Sequence, residues 1–234
     1  MINKIIGIIG GMGPLATADL FEKIISNTKA ESDQEHFHVI IDNNTNIPDR
    51  TKAVLYDGSD PIPEMIRSAK LLESRGAECL IMPCNTAHYF YNDIAKAVHV
   101  DVLNMIDITC KAIVESGYKR AGLLATTGTI KTGVYARSCE KYGIDLLVPD
   151  DSHQVAVMDM IYKGIKAGKT EYDCSIVNDG VKDMLDRGAE VIILGCTELP
   201  LAYKLYQMHF SFIDPTNELA KAAIINAGGV ERLK

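Results

Sequence analysis

The sequence has no CxxC pair, no polybasic run and no apolar stretch approaching the ~18 residues that a membrane helix needs. Cations are outnumbered, 24 Lys+Arg against 31 Asp+Glu, for a formal net charge of −7. That balance argues against nucleic acid, whose partners usually carry a basic face, and nothing here would hold an anionic membrane surface. Six cysteines in 234 residues are too sparse for a disulfide scaffold. Without CxxC, neither a zinc ribbon nor a thioredoxin-type redox pair is written, so no metal is expected and a reducing cytoplasm is the expected compartment. The 47% hydrophobic content excludes a disordered chain, and the length suits one or two domains with a substantial core. Lys4 followed by IIGIIGG and by Ala16-Thr17-Ala18 has the outline of a short secretory signal. A second copy of the pattern deep in the chain argues against its cleavage.

That copy is part of an internal repeat. RGAECLIMPCNTA (75–87) resembles RGAEVIILGCTEL (187–199), and Cys84 and Cys196 fall at the same place in the two, 112 residues apart. The stretches before them align as well, IPEMIRSAKLLES (62–74) with CSIVNDGVKDMLD (174–186). KIIGIIGGMGPLATADLF (4–21) has a looser echo in RAGLLATTGTIKTGVYAR (120–137), at a spacing of 115 or 116. Two α/β halves of about 100 residues each, from an old duplication, are implied. Apolar runs predict strands at Ile5–Ile9, Val39–Ile41, Cys79–Met82, Gly122–Ala125, Asp145–Val148 and Val191–Leu194. They are continuous rather than alternating, as expected of parallel strands covered on both faces. Helical spacing fills the gaps, as in Ile62, Met65, Ile66, Ala69 and Leu72. The fold class is therefore α/β, two doubly wound parallel sheets. The tail HFSFIDPTNELAKAAIINAG reads as one more strand and a helix begun by Pro215-Thr216, returned to the first half. The expected domains are residues 1–103 with 214–234, and residues 104–213.

Both repeat cysteines follow a strand and precede a helix start, the edge at which open α/β sheets build their sites. Pro83 helps end the first of these strands, and Asn85-Thr86 and Thr197 look like helix-start residues. A thiol facing unpaired N–H groups and a helix dipole is expected to have its pKa lowered below ~8.5. Cys79, Cys110, Cys139 and Cys174 have no motif around them and read as small core residues. Approximate two-fold symmetry would bring Cys84 and Cys196 toward one cleft. There, one thiolate can remove a proton from a carbon while the other thiol returns one from the opposite face, inverting configuration without a cofactor.

GIIGGMGPLAT, IPDRT, PCNTAH, GIKAG and GCTELPL resemble the cofactor-independent aspartate/glutamate racemase family, over residues 1 to about 225. The resemblance implies two pseudo-two-fold-related α/β domains with the active site between them, a homodimer, a small amino-acid substrate, and Cys84 and Cys196 as the acid/base pair. Cell-wall glutamate racemases typically carry Asp-Ser-Gly after the first strand and GCTH in the second motif. This chain has Gly10-Gly11-Met12-Gly13 and GCTE, and so resembles the aspartate branch. By the same resemblance Arg50 and Lys166 hold the substrate's side-chain carboxylate, and Cys84 deprotonates the D-enantiomer, Cys196 the L-enantiomer.

An acidic chain that binds a dicarboxylate needs local cations, and Arg50 in NIPDRT can fork onto a carboxylate. Lys166 in YKGIKAG is the second; for both, a solvated surface charge is the bland alternative. The α-carboxylate is expected to meet Asn85, Thr86, Thr127 and Thr197, loop–helix residues that equally serve as caps. Met12 and Asn43 are further substrate-contact candidates, with packing the equal alternative for Met12. His88 reads as a proton partner of Cys84 or as a structural histidine, and the role of Glu198 stays open.

Two other functions compete. Gly11-Met12-Gly13-Pro14-Leu15-Ala16 fits G-x-G-x-x-A, with Asp42 closing the next strand, so an NAD(P)-dependent oxidoreductase is one alternative. Asp42 lies 29 residues after Gly13 rather than ~20, and the second half lacks the fingerprint. A non-catalytic small-acid-binding protein is the other; it leaves the paired thiols unexplained, because binding a carboxylate needs cations and amides.

Overall fold

The computed structural model describes residues 3–230; the ends of the expected first domain, 1–2 and 231–234, lie outside them. Contacts divide the chain into two compact units, one built from residues up to Ile108 together with those from Thr216 onward, the other from Thr109–Pro215.

The first unit carries β1 (Ile6–Gly10), β2 (Val39–Asn43), β3 (Cys79–Ile81) and β4 (Asp101–Val102), in the order β2-β1-β3-β4. All pairings are parallel. Successive residues of a strand face opposite sides, and in the central strands β1 and β3 both sides are buried. Ile6, Ile8, Cys79 and Ile81 join Leu20 and Ile24 of the helix Pro14–Asn27 and Leu219, Ala223 and Ile224 of the helix Pro215–Asn226. Ile9, Leu80 and Met82 pack instead with Met65, Ala69 and Leu72 of the helix Ile62–Ser74. Those three residues sit at the spacing of one helical face, whereas Ile62 and Ile66 of the same expected stripe are only partly buried.

The second unit repeats the plan. β5 (Arg120–Ala125), β6 (Asp145–Leu147), β7 (Val191–Gly195) and β8 (Phe212–Ile213) form a parallel sheet in the order β6-β5-β7-β8. Register carries the duplication further. Ile6 opposes Cys79 in the first sheet and Ala121 opposes Val191 in the second, positions 115 and 112 residues on.

The repeated RGAE has a structural reason. Gly76 and Gly188 end their helices at φ +94° and +97°. Ala77 N–H then reaches back to the Leu72 carbonyl, and Ala189 N–H to that of Met184, the six-residue closure of a Schellman motif. The following glutamate bridges to the first strand of its own sheet. Glu78 accepts from Ile5 N–H at 3.0 Å, and Glu190 from Lys119 and Arg120 N–H at 2.7 and 2.9 Å.

Six strands lie where the apolar runs predict them, within two residues at each end. The tail divides. β8 pairs with β7, Ile192 opposite Phe212, so this strand belongs to the second sheet and not to the first half. Only the helix after it returns, because its apolar residues 219, 220, 223 and 224 repeat at helical spacing and cover the first sheet.

Gly11 has φ +88°, and a Cβ there would overlap the Asn44 backbone. Close approach of the loop after β1 to the loop after β2 therefore accounts for this glycine. Gly117 has a similar φ of +84° but open space around it. Gly117→Ala should cost about 1 kcal/mol and Gly11→Ala clearly more, about 2 kcal/mol or above, in urea titrations. Equal losses would show that the Asn44 contact relaxes freely.

Candidate active site

In a parallel sheet all carboxyl ends lie along one edge, and every residue singled out in the first unit except His88 and Arg50 sits directly on that edge. Met12 follows β1, Asn43 ends β2, and Cys84, Asn85 and Thr86 follow β3. The chain turns abruptly at Pro83: Cys84 N–H donates to the Met82 carbonyl at 2.9 Å, a γ-turn that suits the fixed φ of proline. Thr86–Phe90 continues as a 3₁₀ helix with Asn85 as its cap position, although the Asn85 side chain makes no capping bond. Cys84, Asn85 and Thr86 are all buried.

Arg50 draws this edge together. Its guanidinium donates to the carbonyls of Pro48 at 2.9 Å, Met12 at 3.1 Å and Ile47 at 3.3 Å. Met12 itself is buried in the apolar cluster that also holds Cys84. Packing thus describes its side chain, and its carbonyl makes the polar contact. Asn43 is exposed, whereas the adjacent Asn44 is buried, donating to Glu64 at 3.0 Å and Ser68 at 3.1 Å. Asn44 is a buried polar anchor of this loop, and nothing in the run Asn43-Asn44-Thr45 distinguishes it in the sequence.

His88 is structural. Met105 N–H can only donate, so His88 Nε2 at 3.0 Å accepts, which puts the ring proton on Nδ1, 2.8 Å from the Cys84 carbonyl. Burial pushes its pKa down to about 4. The neutral ring therefore ties the Cys84 turn to the start of the helix Met105–Glu115.

In the second unit Thr126 caps the helix Thr127–Lys131 by accepting from Thr129 N–H. Thr127 Oγ1 accepts from Gln154 Nε2 at 3.2 Å, and that amide also holds the Ala125 carbonyl at the end of β5. Cys196, Thr197 and Glu198 follow β7 and are buried. Cys196 Sγ donates to Glu198 Oε2 at 2.9 Å, Thr197 Oγ1 reaches the same oxygen at 3.3 Å, and Lys166 Nζ meets Glu198 Oε1 at 3.3 Å. Lys166 also lies over the Tyr162 ring, 4.9 Å from its centre. The helix Asp151–Asp159 widens to a π-helical segment, Met160–Gly164, and closes with the 3₁₀ turn Ile165–Ala167 that carries Lys166. Irregular windings of this sort recur at functional sites.

One expectation fails here. The Cys196 thiol is not lowered overall; burial and the neighbouring Glu198 carboxylate raise its pKa well above the ordinary thiol value, with Lys166 and the Glu198 backbone N–H opposing them. The helix that follows, Leu199–Leu205, is only seven residues long and begins three residues beyond the thiol, so its dipole is weak at the sulfur. The remaining cysteines are buried free thiols. Burial pushes Cys79 up to about 11, and Cys110 and Cys139 lie 3.6 Å apart, sulfur to sulfur.

Residues 9–223 match the profile of the family Asp/Glu/Hydantoin racemase. The chain belongs to this family. It is an isomerase by that membership. It is 27% identical over 224 residues to the broad-specificity amino-acid racemase RacX of Bacillus subtilis, covering 94% of this chain and 96% of that protein. Among solved structures, the aspartate racemase of Picrophilus torridus superposes with a TM-score of 0.82 at 35% identity, covering 99% and 96% of the two chains. The glutamate racemase of Francisella tularensis shares the fold, with a TM-score of 0.68 at 17% identity, covering 100% of this chain and 86% of that one. Among the described residues no helix of this racemase-family chain is long and apolar enough to cross a membrane.

Because His88 is held neutral, acid should unfold the protein through it. The folded pKa is depressed below the unfolded ~6.5, so its contribution is full above that value and is lost as pH falls toward about 4. Between pH 8 and pH 5 that loss is on the order of 2 kcal/mol. Urea midpoints of His88→Leu should show a correspondingly flatter pH dependence; an unchanged slope would mean that His88 titrates normally.

Proposed function

We propose that this chain is a cofactor-independent amino-acid racemase acting first on aspartate, with glutamate or a broader set as further substrates, and that Cys84 and Cys196 are its two acid/base groups. The observation that carries the proposal is register. Each sheet has the same strand order, and each presents a buried cysteine just past the carboxyl end of its third strand. A duplicated fold that keeps a thiol at one position of both halves suits a reaction with mirror-related requirements. One sulfur takes the α-proton from one face, and the other delivers a proton to the opposite face. Full-length similarity to an aspartate racemase and a broad-specificity amino-acid racemase supports the same substrate class.

General acid–base transfer supplies about 10²–10⁴-fold, so the developing carbanion also needs electrostatic support. Arg50 and Lys166 are the cations assigned to the substrate's side-chain carboxylate. Asn85, Thr86, Thr127 and Thr197 are assigned to the α-carboxylate, with Asn43 and Met12 bordering the substrate. The oxidoreductase reading loses its main support, since Gly11 is required by the Asn44 backbone. The proposed enzyme works as a homodimer in the cytoplasm.

Exchange of the α-proton for solvent deuterium, followed by NMR over a panel of L- and D-amino acids, tests reaction and substrate together; aspartate should exchange fastest. Cys84→Ala and Cys196→Ala should each lower racemisation at least about a thousandfold. Near-full turnover in either variant would overturn the two-base scheme. Arg50→Ala should raise KM for dicarboxylates much more than for neutral amino acids, whereas equal effects would remove Arg50 from substrate recognition.

A further inference from the structure

Glu198 lies next to a thiol, within reach of a lysine, and almost wholly buried, with 5% of its surface exposed. A carboxylate is costly to bury unless paired, and here each oxygen has a distinct partner. Oε1 faces Lys166 Nζ and Oε2 accepts from Cys196 Sγ and Thr197 Oγ1. Two ionisable side chains act on the Cys196 sulfur: Glu198 from its own loop, and Lys166 from the segment that ends the winding after Asp159. Their geometry is unequal. Glu198 touches the sulfur at 2.9 Å, whereas Lys166 acts from the far oxygen of the same carboxylate.

We propose that Glu198 is a positioning residue that fixes Cys196 as the protonated member of the thiol pair, with Lys166 anchoring the carboxylate that does so. The proposal rests on the assignment of Cys196 as an acid/base group and adds the residue that sets its resting state. An ionised carboxylate accepts a hydrogen bond from S–H but repels S⁻, so it favours the thiol on both counts. The free enzyme then waits with Cys196 as proton donor, ready for the enantiomer whose α-proton leaves toward Cys84. For the opposite enantiomer Cys196 must first lose its proton. The S–H bond breaks, the electron pair stays on sulfur, and the proton passes to Glu198 Oε2 or to solvent.

Glu198→Gln keeps the shape and removes the charge. In the full-length protein, iodoacetamide labelling of Cys196, read by mass spectrometry of its peptide, reports thiolate without requiring turnover. The variant should label at least about tenfold faster at neutral pH, equivalent to a titration midpoint about one unit lower. The pH profile of its racemisation should move to lower pH by a similar amount, which a merely structural role would not cause. Labelling rates within twofold of the parent would overturn the proposal. Should the variant fail to fold, thiolate absorbance of the parent minus that of Cys196→Ser gives the Cys196 midpoint directly. A value clearly above ~8.5 is expected, and one at or below it would overturn the proposal. Neither thiolate readout depends on racemisation. If Cys196→Ala still racemises, the two-base scheme falls while the labelling result stands on its own.

Discussion

Parallel strands cannot be joined by tight turns; each connection must travel back along the sheet before the next strand begins. Among the described residues the pairings of β1 to β8 are all parallel. The central strands are covered on both faces, which leaves the loops at their carboxyl ends as the place where polar side chains can gather around the sheet. The Pro83 turn, the buried Asn44 with its bonds to Glu64 and Ser68, and the Cys196-Thr197-Glu198 run all occupy such loops. Close packing there accounts for the glycine of the dinucleotide-like motif, since Gly11 makes room for the Asn44 backbone, and it holds the Arg50 guanidinium in place through the carbonyls of Met12, Ile47 and Pro48.

Much of the fold is legible because buried parallel strands are short apolar runs and because the chain states its plan twice. β4 and β8 have two residues each and carry too little pattern of their own; β8 is visible only as part of the tail, and its sheet is not. The thiols stand out because the repeat aligns them. Their environment does not, since Lys166 and Glu198 are 32 residues apart and meet only through the irregular winding after Asp159. Sequence position suggests a thiol lowered by a helix start, whereas burial of the sulfur and then the Glu198 carboxylate raise Cys196. His88 illustrates the opposite case. Its distance of four residues from Cys84 suggests chemistry, whereas its two backbone bonds define a clamp.

A racemase interconverts molecules of equal free energy in water, so kcat/KM must be the same in both directions whatever the protein does. The two halves of this chain are nonetheless chemically unlike: CNTAH follows β3 and CTEL follows β7. Asymmetry of that kind is expressed in the separate values of kcat and KM and in their pH dependence, not in their ratio. The buried Glu198 is the most evident source of it, because the corresponding turn of the first unit places Thr86 two residues after its cysteine.

The first unit is not one continuous stretch of chain. Its core is completed by Leu219, Ala220, Ala223 and Ile224, which follow the whole of the second unit in the sequence. During synthesis, domains generally fold as units while the chain emerges, the N-terminal one first. Here residues 109–215 are all translated before the helix that seals the earlier sheet. The nascent chain therefore holds β1 and β3 with one face covered only in part, by the helix Pro14–Asn27, until the helix Pro215–Asn226 clears the ribosome, and the unit that begins first is finished second.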